Sequence, residues 1–373
     1  MNQEGTAERK RATKMTLFKR HENFGVLSIF LGFIVFIILL QLLKFGVHQF
    51  PTYISPVNIV NILQQVAAPG IVAVGMTMVM VSGGIDLSVG MLSSLVSIIV
   101  ALGFTKWHFG VVPSILLGVG SAVALETMMG YIISRTKVEP FIITLGGMIL
   151  FQGIALLFSN SREVDIGNQL SFLTSNLVKG AKDPVTGLNL VFPLYVIVFF
   201  AIMLLGGLLL TYTKYGRRIY AVGANPQAAY LAGINVKNMK LSVYAVMGFL
   251  VGIGAVVLLG RVNTGIITLG QGLEIDTIAM VVIGGTAMAG GKGNIVGTLI
   301  GVLFLGSIGN AMNLLRLPSE VQYVARGLVI IIAVSAGDVS SKVSEFMARR
   351  KEVAMARLAT DGEKEVTQKP TGQ

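Results

Sequence analysis

The chain consists mostly of long apolar stretches separated by short polar segments. Hydrophobic residues make up 53% of its 373 residues and charged residues 13%, whereas soluble domains carry about 25% charged residues. Within a bilayer the backbone N–H and C=O groups must bond to each other, and a helix of roughly 20 apolar residues achieves this while it crosses the membrane. The sequence therefore predicts an all-α, polytopic membrane protein.

Ten segments are candidate membrane spans. They cover about 25–46, 59–82, 86–104, 111–134, 141–159, 190–212, 241–262, 276–291, 293–316 and 321–338. The segments 86–104, 276–291 and 321–338 are short or polar, so we predict about ten transmembrane helices, with eight or nine as the alternative. Gly248-x-x-x-Gly252 and Gly297-x-x-x-Gly301 predict close packing between helices.

The basic residues are distributed asymmetrically along the chain. If the N-terminus lies inside, most of the 29 Lys and Arg fall in segments on the cytoplasmic side, as the positive-inside rule requires. These segments are the N-tail 1–24, the turn at 135–138, the segment 213–240, Lys292 and the C-tail 339–373. The predicted transmembrane domain is 25–338, and 160–189 is the long external loop, either a solvated connector or a contact for an external partner. Because topology explains the net charge of +11, we predict no nucleic-acid partner.

The residue types needed for catalysis or metal binding do not occur in suitable patterns. The sequence has no cysteine, which excludes disulfides and thiol chemistry. Its three histidines lie in tails or loops and have no second ligand at metal spacing. The sequence therefore predicts a protein that is not an enzyme and that has no metal or cofactor.

The segment 213–240, TKYGRRIYAVGANPQAAYLAGINVKNMK, is basic and contains no acid. Its sequence predicts one short helix, because Asn225 is a good N-cap, Pro226 suits the first helical position and Gly233 suits a left-handed end. Ala228 and Ala229 favour the helix. We interpret this helix as a docking element with Ala229 on the docked face and Arg217 and Arg218 nearby. An ordinary positive-inside loop is the alternative.

Polar residues interrupt several of the apolar stretches. In SGGIDLSVG at 82–90, Asp86 either caps the start of a half-helix or contacts a ligand. Glu126 lies in the middle of a predicted span, where it serves transport, stays protonated or bonds a neighbouring helix. Candidates for lining a translocation path, with bonding between helices as the alternative, are Asn61, Gln64, Gln65, Asn310 and Asn313. VSGGIDLSVG at 81–90 and VIGGTAMAGG at 282–291 match in their glycines, which indicates either an internal repeat or a chance similarity.

Several blocks in the same order give the chain a resemblance to the ribose/xylose/galactoside-type permeases of bacterial ABC importers. The blocks are NILQQ at 61–65, VAVGMTMVMVSGGIDLSVG at 72–90, PFIITLGGM at 140–148, YGRRIYAVGANPQAAYLAGINV at 215–236 and LEIDTIAMVVIGGTAMAGGKGNIVGTLIG at 273–301. The resemblance implies a type II-like permease fold in the bacterial cytoplasmic (inner) membrane.

The same resemblance implies the partners. These are ABC ATPase subunits, a periplasmic or extracellular solute-binding protein, a second permease copy that is identical or a paralogue, and the surrounding lipid. It makes the helix at 225–233 the coupling helix that contacts the ATPase. The expected function is translocation of a simple sugar. The alternatives are a nucleoside or autoinducer-like solute, or an ion-coupled secondary transporter that uses Asp86 or Glu126.

Overall fold

The computed structural model describes residues 53–178 and 181–331. Its helices are, in chain order, α1 (Pro56–Val81), α2 (Val89–Thr105), α3 (Val111–Arg135), α4 (Pro140–Ser159), α5 (Ser171–Thr174), α6 (Leu194–Tyr212), α7 (Lys214–Ala224), α8 (Pro226–Leu231), α9 (Val236–Val262), α10 (Leu273–Ile283) and α11 (Ile295–Leu314). A further helical stretch covers 319–331. The strands β1 (Val164–Asp165) and β2 (Thr264–Gly265) pair antiparallel.

The chain divides into two compact units, residues 1–322 and 323–373. All the labelled elements belong to the first unit. Of the second unit, residues 323–331 are described, and they are helical.

Six of the described helices are long and apolar enough to cross a membrane, namely α1, α3, α4, α6, α9 and α11. They confirm the mostly helical, multi-span character of the chain. They correspond to the predicted spans 59–82, 111–134, 141–159, 190–212, 241–262 and 293–316. The predicted span 25–46 and the end of 321–338 lie outside the described residues.

Two of the short predicted spans differ from the structure. The segment 86–104 forms a helix only from Val89, because residues 84–88 are not helical. The segment 276–291 is not a span: α10 ends at Ile283, and Gly285 follows with a left-handed φ of 85°. The apolar character of 286–289 extended the prediction, but Gly284 and Gly285 end the helix through a left-handed cap.

Close contacts between helix backbones hold the bundle together at glycines. A Cβ atom on Gly248 would lie 2.5 Å from the Ala122 carbonyl oxygen, and one on Gly252 would lie 2.9 Å from Val119 Cα. This pair brings α9 against α3, and Gly297 and Gly301 bring α11 against the carbonyl groups of Gly284 and Met280 in the same way. Both GxxxG patterns are therefore confirmed as packing motifs.

The described residues 175–178 and 181–193 pair through the bridges Asn176–Pro193 and Lys182–Asn189, and this hairpin is bonded to the start of α1. Asp183 Oδ1 accepts hydrogen bonds from the backbone N–H groups of Val185 and Thr186, and Gly187 takes a left-handed φ of 69°. These bonds and the conformation of Gly187 form the turn of the hairpin. Asp183 Oδ2 accepts from Val57 N–H at 2.9 Å, so one carboxylate joins the hairpin turn to the first turn of α1.

Removing this carboxylate should release the hairpin. Desolvation raises the pKa of the Asp183 carboxyl, but the backbone donors Val57, Thr186 and Val185 together hold it below its ordinary value. The stabilisation is therefore present above the ordinary pKa of an aspartate, about 3.9, and is lost as the pH falls through the lowered value. We expect Asp183→Ala to increase tryptic cleavage after Lys182 at neutral pH several-fold.

Asp165→Ala is the matched control for this prediction, since Asp165 is exposed and its side chain accepts a hydrogen bond from the nearby Gly167 N–H. Equal cleavage rates in Asp183→Ala and the wild type would show that the hairpin does not depend on this carboxylate.

Candidate coupling surface and translocation path

The segment 213–240 folds into α7, α8 and the start of α9, whereas the sequence predicted one short helix. Thr213 caps α7, its Oγ1 accepting a hydrogen bond from Gly216 N–H. Gly216, Ile219 and Val222 form the buried face of α7. This spacing of three residues places Arg217 and Arg218 on the exposed side.

The boundaries of α8 agree with the prediction. The Asn225 side chain accepts a hydrogen bond from Ala228 N–H at 2.9 Å, and Pro226 occupies the first turn. Gly233 has a φ of 81°, and Ile234 N–H bonds back to the Ala229 carbonyl at 3.0 Å. Local side-chain and backbone chemistry therefore defines both ends of this helix.

The exposed face of α8 differs from the prediction. Ala229 is 4% exposed and packs into its own chain, whereas Tyr230 and Leu231 are 67% and 77% exposed. The placement of Ala229 on the docked face is therefore wrong. The sequence reasoning missed Tyr230 and Leu231, although two large apolar residues in a polar segment are the usual sign of a contact surface.

Backbone groups of three segments meet at the end of α7. Gly223 lies against the Val81 carbonyl at the end of α1, and Gly291 N–H donates to the same carbonyl at 2.8 Å. A Cβ on Gly290 would lie 2.9 Å from both Gly83 Cα and the Gly223 carbonyl oxygen. We call the contact of Gly83, Gly223, Gly290 and Gly291 the glycine junction. It connects α7 directly to the glycine-rich segment 81–90 after α1 and to the glycine-rich segment 282–291 after α10. We call these two segments the glycine-rich interruptions.

The two glycine-rich interruptions share one backbone geometry. After α1, Gly83 has a φ of 84°, and Gly84 N–H bonds to the Val79 carbonyl at 3.0 Å. After α10, Gly285 has a φ of 85°, and Thr286 N–H bonds to the Val281 carbonyl at 3.1 Å. The similarity of 81–90 to 282–291 thus extends from the glycines to the way each helix ends.

A non-helical segment, 264–272, runs back along α2. A Cβ on Gly265 would lie 3.1 Å from Ala101 Cβ, and Gly270 N–H donates to Ser94 Oγ at 2.9 Å. Gly270 also touches the Gly90 carbonyl, so the segment runs antiparallel along nearly all of α2. Because α2 is buried and apolar, this segment lies at the depth of the helical core. The sequence reasoning assigned no role to it.

Polar side chains are exposed along this segment. Thr268 and Gln271 are exposed. Irregular backbone at membrane depth is tolerated where it is buried in protein or lines a water-filled cavity. The acids Glu274 and Asp276 follow in the first turn of α10, where the helix dipole favours negative charge.

Asp86 lies at the start of α2 and is fully buried. Its Oδ1 accepts hydrogen bonds from Ser88 N–H at 2.9 Å and from Ser88 Oγ at 2.7 Å. These bonds close a turn just before α2, whose N-cap is Ser88 and which has no side-chain cap bond, so both alternatives for Asp86, a cap and a ligand contact, stay predictions. Ser88 Oγ also lies 2.9 Å from Oε1 of Glu126. Glu126 on α3 is therefore bonded to the start of a neighbouring helix, which is one of the three roles that the sequence left open for it.

The other path candidates lie in different surroundings. Asn310 is buried and accepts a hydrogen bond from Asn58 Nδ2 at 2.9 Å, which joins α11 to α1. Gln64 donates to the Val191 carbonyl at 2.7 Å and accepts from the Tyr195 hydroxyl at 3.2 Å. These are bonds between elements, the alternative that the sequence left open.

The remaining three candidates for lining a path are more exposed to solvent than Asn310. Asn61 and Asn313 are exposed and Gln65 is half-buried. Asn313 Oδ1 accepts a hydrogen bond from Gln322 Nε2 at 3.1 Å. A role of any of these residues in a path stays a prediction.

A bundle with six helices long enough to cross a membrane and with two glycine-rich interruptions is typical of membrane transport proteins. The chain belongs to the permease family described as "Branched-chain amino acid transport system / permease component", whose model matches residues 58–334.

Several curated relatives cover most of the chain. The ribose import permease protein RbsC of Bacillus subtilis is 38% identical over 82% of this chain and 90% of the relative. The fructose import permease protein FrcC of Rhizobium meliloti is 34% identical over 80% and 82%. The xylose transport system permease protein XylH of Haemophilus influenzae is 32% identical over 78% and 91%. No solved structure matches the chain.

Proposed function

We propose that this chain is the membrane permease subunit of an ATP-binding-cassette importer that translocates a simple sugar, such as a pentose or hexose. The observation that carries the proposal is the similarity to permeases named for ribose, fructose and xylose, at 32–38% identity over most of both chains. The family description names amino acids, whereas the relatives that cover most of the chain are named for sugars.

The partners follow from the same class. ATPase subunits bind α8 on the cytoplasmic side, a solute-binding protein binds on the external side, and a second permease copy, identical or a paralogue, completes the pore. In support of the first contact, α8 is bounded at both ends and presents Tyr230 and Leu231, with Arg217 and Arg218 exposed on α7. Exposed apolar anchors beside basic groups are typical of protein contact surfaces.

The mechanism is alternating access. Closure of the ATPase subunits on ATP displaces α8 and α7, and the glycine junction passes this displacement to the end of α1 and to the loop before α11. Its backbone contacts support this role, because they have no flexible side chain to absorb the movement. Reorientation of these ends opens the path to one side of the membrane and closes it to the other.

The sugar path includes the segment 264–272. Thr268 and Gln271 offer hydrogen-bond donors and acceptors of the kind that sugar hydroxyls need. Both side chains are exposed at the depth of α2. A permease that receives its solute from a binding protein needs weak contacts here, since tight binding would slow release.

The proposed topology places 1–24, 213–240 and 339–373 in the cytoplasm and 160–189 outside, in the bacterial cytoplasmic membrane. The chain has no cysteine, so single cysteines report position directly. We expect a cysteine at Lys182 to react with an impermeant thiol reagent on intact cells, and one at Asn225 to react only after the membrane is opened. Both positions are exposed, and the reverse labelling pattern would contradict the topology.

ATP hydrolysis by the reconstituted complex tests the proposed function. The permease is combined in nanodiscs with its ATPase and its binding protein. Ribose, xylose, fructose, a nucleoside and a branched-chain amino acid are added in turn. We expect one of the sugars to stimulate hydrolysis several-fold through the binding protein. Stimulation by the nucleoside or the amino acid, with none by a sugar, would contradict the proposal.

A further inference from the structure

A group of polar side chains lies buried where α2, α3 and α9 meet. Asp86 and Ser88 precede α2, Glu126 is on α3 and Tyr244 is on α9, and each is at most 1% exposed. Within the described part of the chain, three of their atoms have no hydrogen-bond partner: Asp86 Oδ2, Glu126 Oε2 and the Tyr244 hydroxyl. A buried carboxyl oxygen without a partner is costly, so this group needs an explanation beyond packing.

The hydrogen atoms in this group can be counted. Ser88 Oγ lies 2.7 Å from Asp86 Oδ1 and 2.9 Å from Glu126 Oε1, and both distances are those of hydrogen bonds. A serine hydroxyl carries one hydrogen and can donate to one acceptor. If both carboxyls were ionised, one of the two contacts would join two oxygens with no hydrogen between them.

The charges also require that one of the two carboxyls is protonated. No Lys, Arg or His among the described residues is bonded to Asp86 or Glu126. The groups that act on the two carboxyls are each other and Ser88. Two negative charges side by side in the core of a membrane protein, with no cation, would be strongly unfavourable.

We infer that Asp86, Ser88 and Glu126 form a binding site for one proton, and that Glu126 carries it. Asp86 Oδ1 also accepts from the backbone N–H of Ser88 and lies at the N-terminus of α2, where the helix dipole favours a carboxylate. Glu126 lies in the middle of α3, and its described hydrogen-bond partners are side chains, with no backbone N–H among them. The Glu126 carboxyl then donates to Ser88 Oγ, and the Ser88 hydroxyl donates to Asp86.

Tyr244 supports this site independently. Its hydroxyl is buried without a hydrogen-bond partner in the described residues and is close enough to both carboxyls to interact with each electrostatically. It points to the backbone of residue 84, since a Cβ on Gly84 would lie 2.9 Å from it. The phenol is thus a further polar group enclosed with the two carboxyls, and it carries no charge to balance theirs. The facing residue of α4, Thr144, is uncharged and bonds to Leu87 N–H.

Loss of the proton would place a second charge beside the interruption that follows α1. The inference does not depend on the transported solute.

Infrared difference spectra of the full-length permease test the inference. A protonated carboxyl has a C=O stretching band that a carboxylate lacks. We expect this band in the wild-type minus Glu126→Gln spectrum at neutral pH, and its loss from the wild type at alkaline pH. Glu139→Gln is the matched control, since Glu139 is an exposed acid before α4, and we expect it to remove no such band.

Two results would overturn the inference. One is the absence of the band from the wild type at neutral pH. The other is a neutral-pH stability that depends on Na⁺ or K⁺ at constant ionic strength, which would assign the site to a metal cation. If Glu126→Gln fails to fold, the wild-type spectrum still tests the inference, because the absence of the band at neutral pH would overturn it.

Discussion

Replacing Leu231 by Glu should separate the permease from its ATPase while leaving the permease folded in the membrane. Leu231 is 77% exposed, so the change removes little internal packing. At a contact surface the same change buries an unpaired charge and removes an apolar anchor, which costs about 2 kcal/mol or more. We expect at least about a 30-fold weaker association with the ATPase, measured by co-purification, and a loss of transport.

Two further variants make this prediction specific. Leu188→Glu is the matched control, since Leu188 is also exposed but lies in the hairpin on the proposed external side; it should leave ATPase association unchanged. Ala229→Glu should instead destabilise the segment itself, because Ala229 is buried. Normal co-purification of the Leu231→Glu permease would show that α8 is not the docking element.

Replacing Gly290 by Ala should abolish coupling at the glycine junction. Gly290 has a φ of 85°, and an added Cβ would lie 2.9 Å from Gly83 Cα and from the Gly223 carbonyl oxygen. The left-handed conformation alone costs a non-glycine residue about 1–2 kcal/mol. The crowding of backbone atoms adds to this, because backbone cannot rotate away as a side chain can. We expect loss of sugar-stimulated ATP hydrolysis and a lower thermal midpoint.

Gly187→Ala separates the cost of the left-handed conformation from the effect of backbone crowding. Gly187 also has a positive φ, 69°, but nothing lies within 4 Å of an added Cβ. It should therefore show the conformational cost without the crowding, and retain stimulated hydrolysis. If Gly290→Ala retains full stimulated hydrolysis, the junction does not transmit the movement of α7.

The features that the sequence predicted well are those that depend on neighbouring residues. Asn225, Pro226 and Gly233 define the ends of α8 through bonds within a few positions. Both GxxxG patterns place small residues on one face of a long helix, so their packing role is readable from spacing.

The features that the sequence missed depend on distant contacts or on very short elements. A helix of six residues has fewer than two turns, so its pattern does not reveal that Ala229 is buried and Leu231 exposed. Glu126 meets Ser88 across 38 positions, and periodicity carries no information on that pairing. The segment 264–272 has the mixed polarity of a loop, and its position beside α2 is known only from the fold.

Sugar uptake into liposomes tests the central proposal most directly. The permease is reconstituted with its ATPase, ATP is enclosed, and labelled ribose, xylose or fructose is supplied with the binding protein outside. We predict uptake of one sugar that stops when ATP, the ATPase or the binding protein is omitted, and that persists when proton and sodium gradients are collapsed. Uptake without the ATPase that follows an ion gradient would contradict the account and identify a secondary transporter.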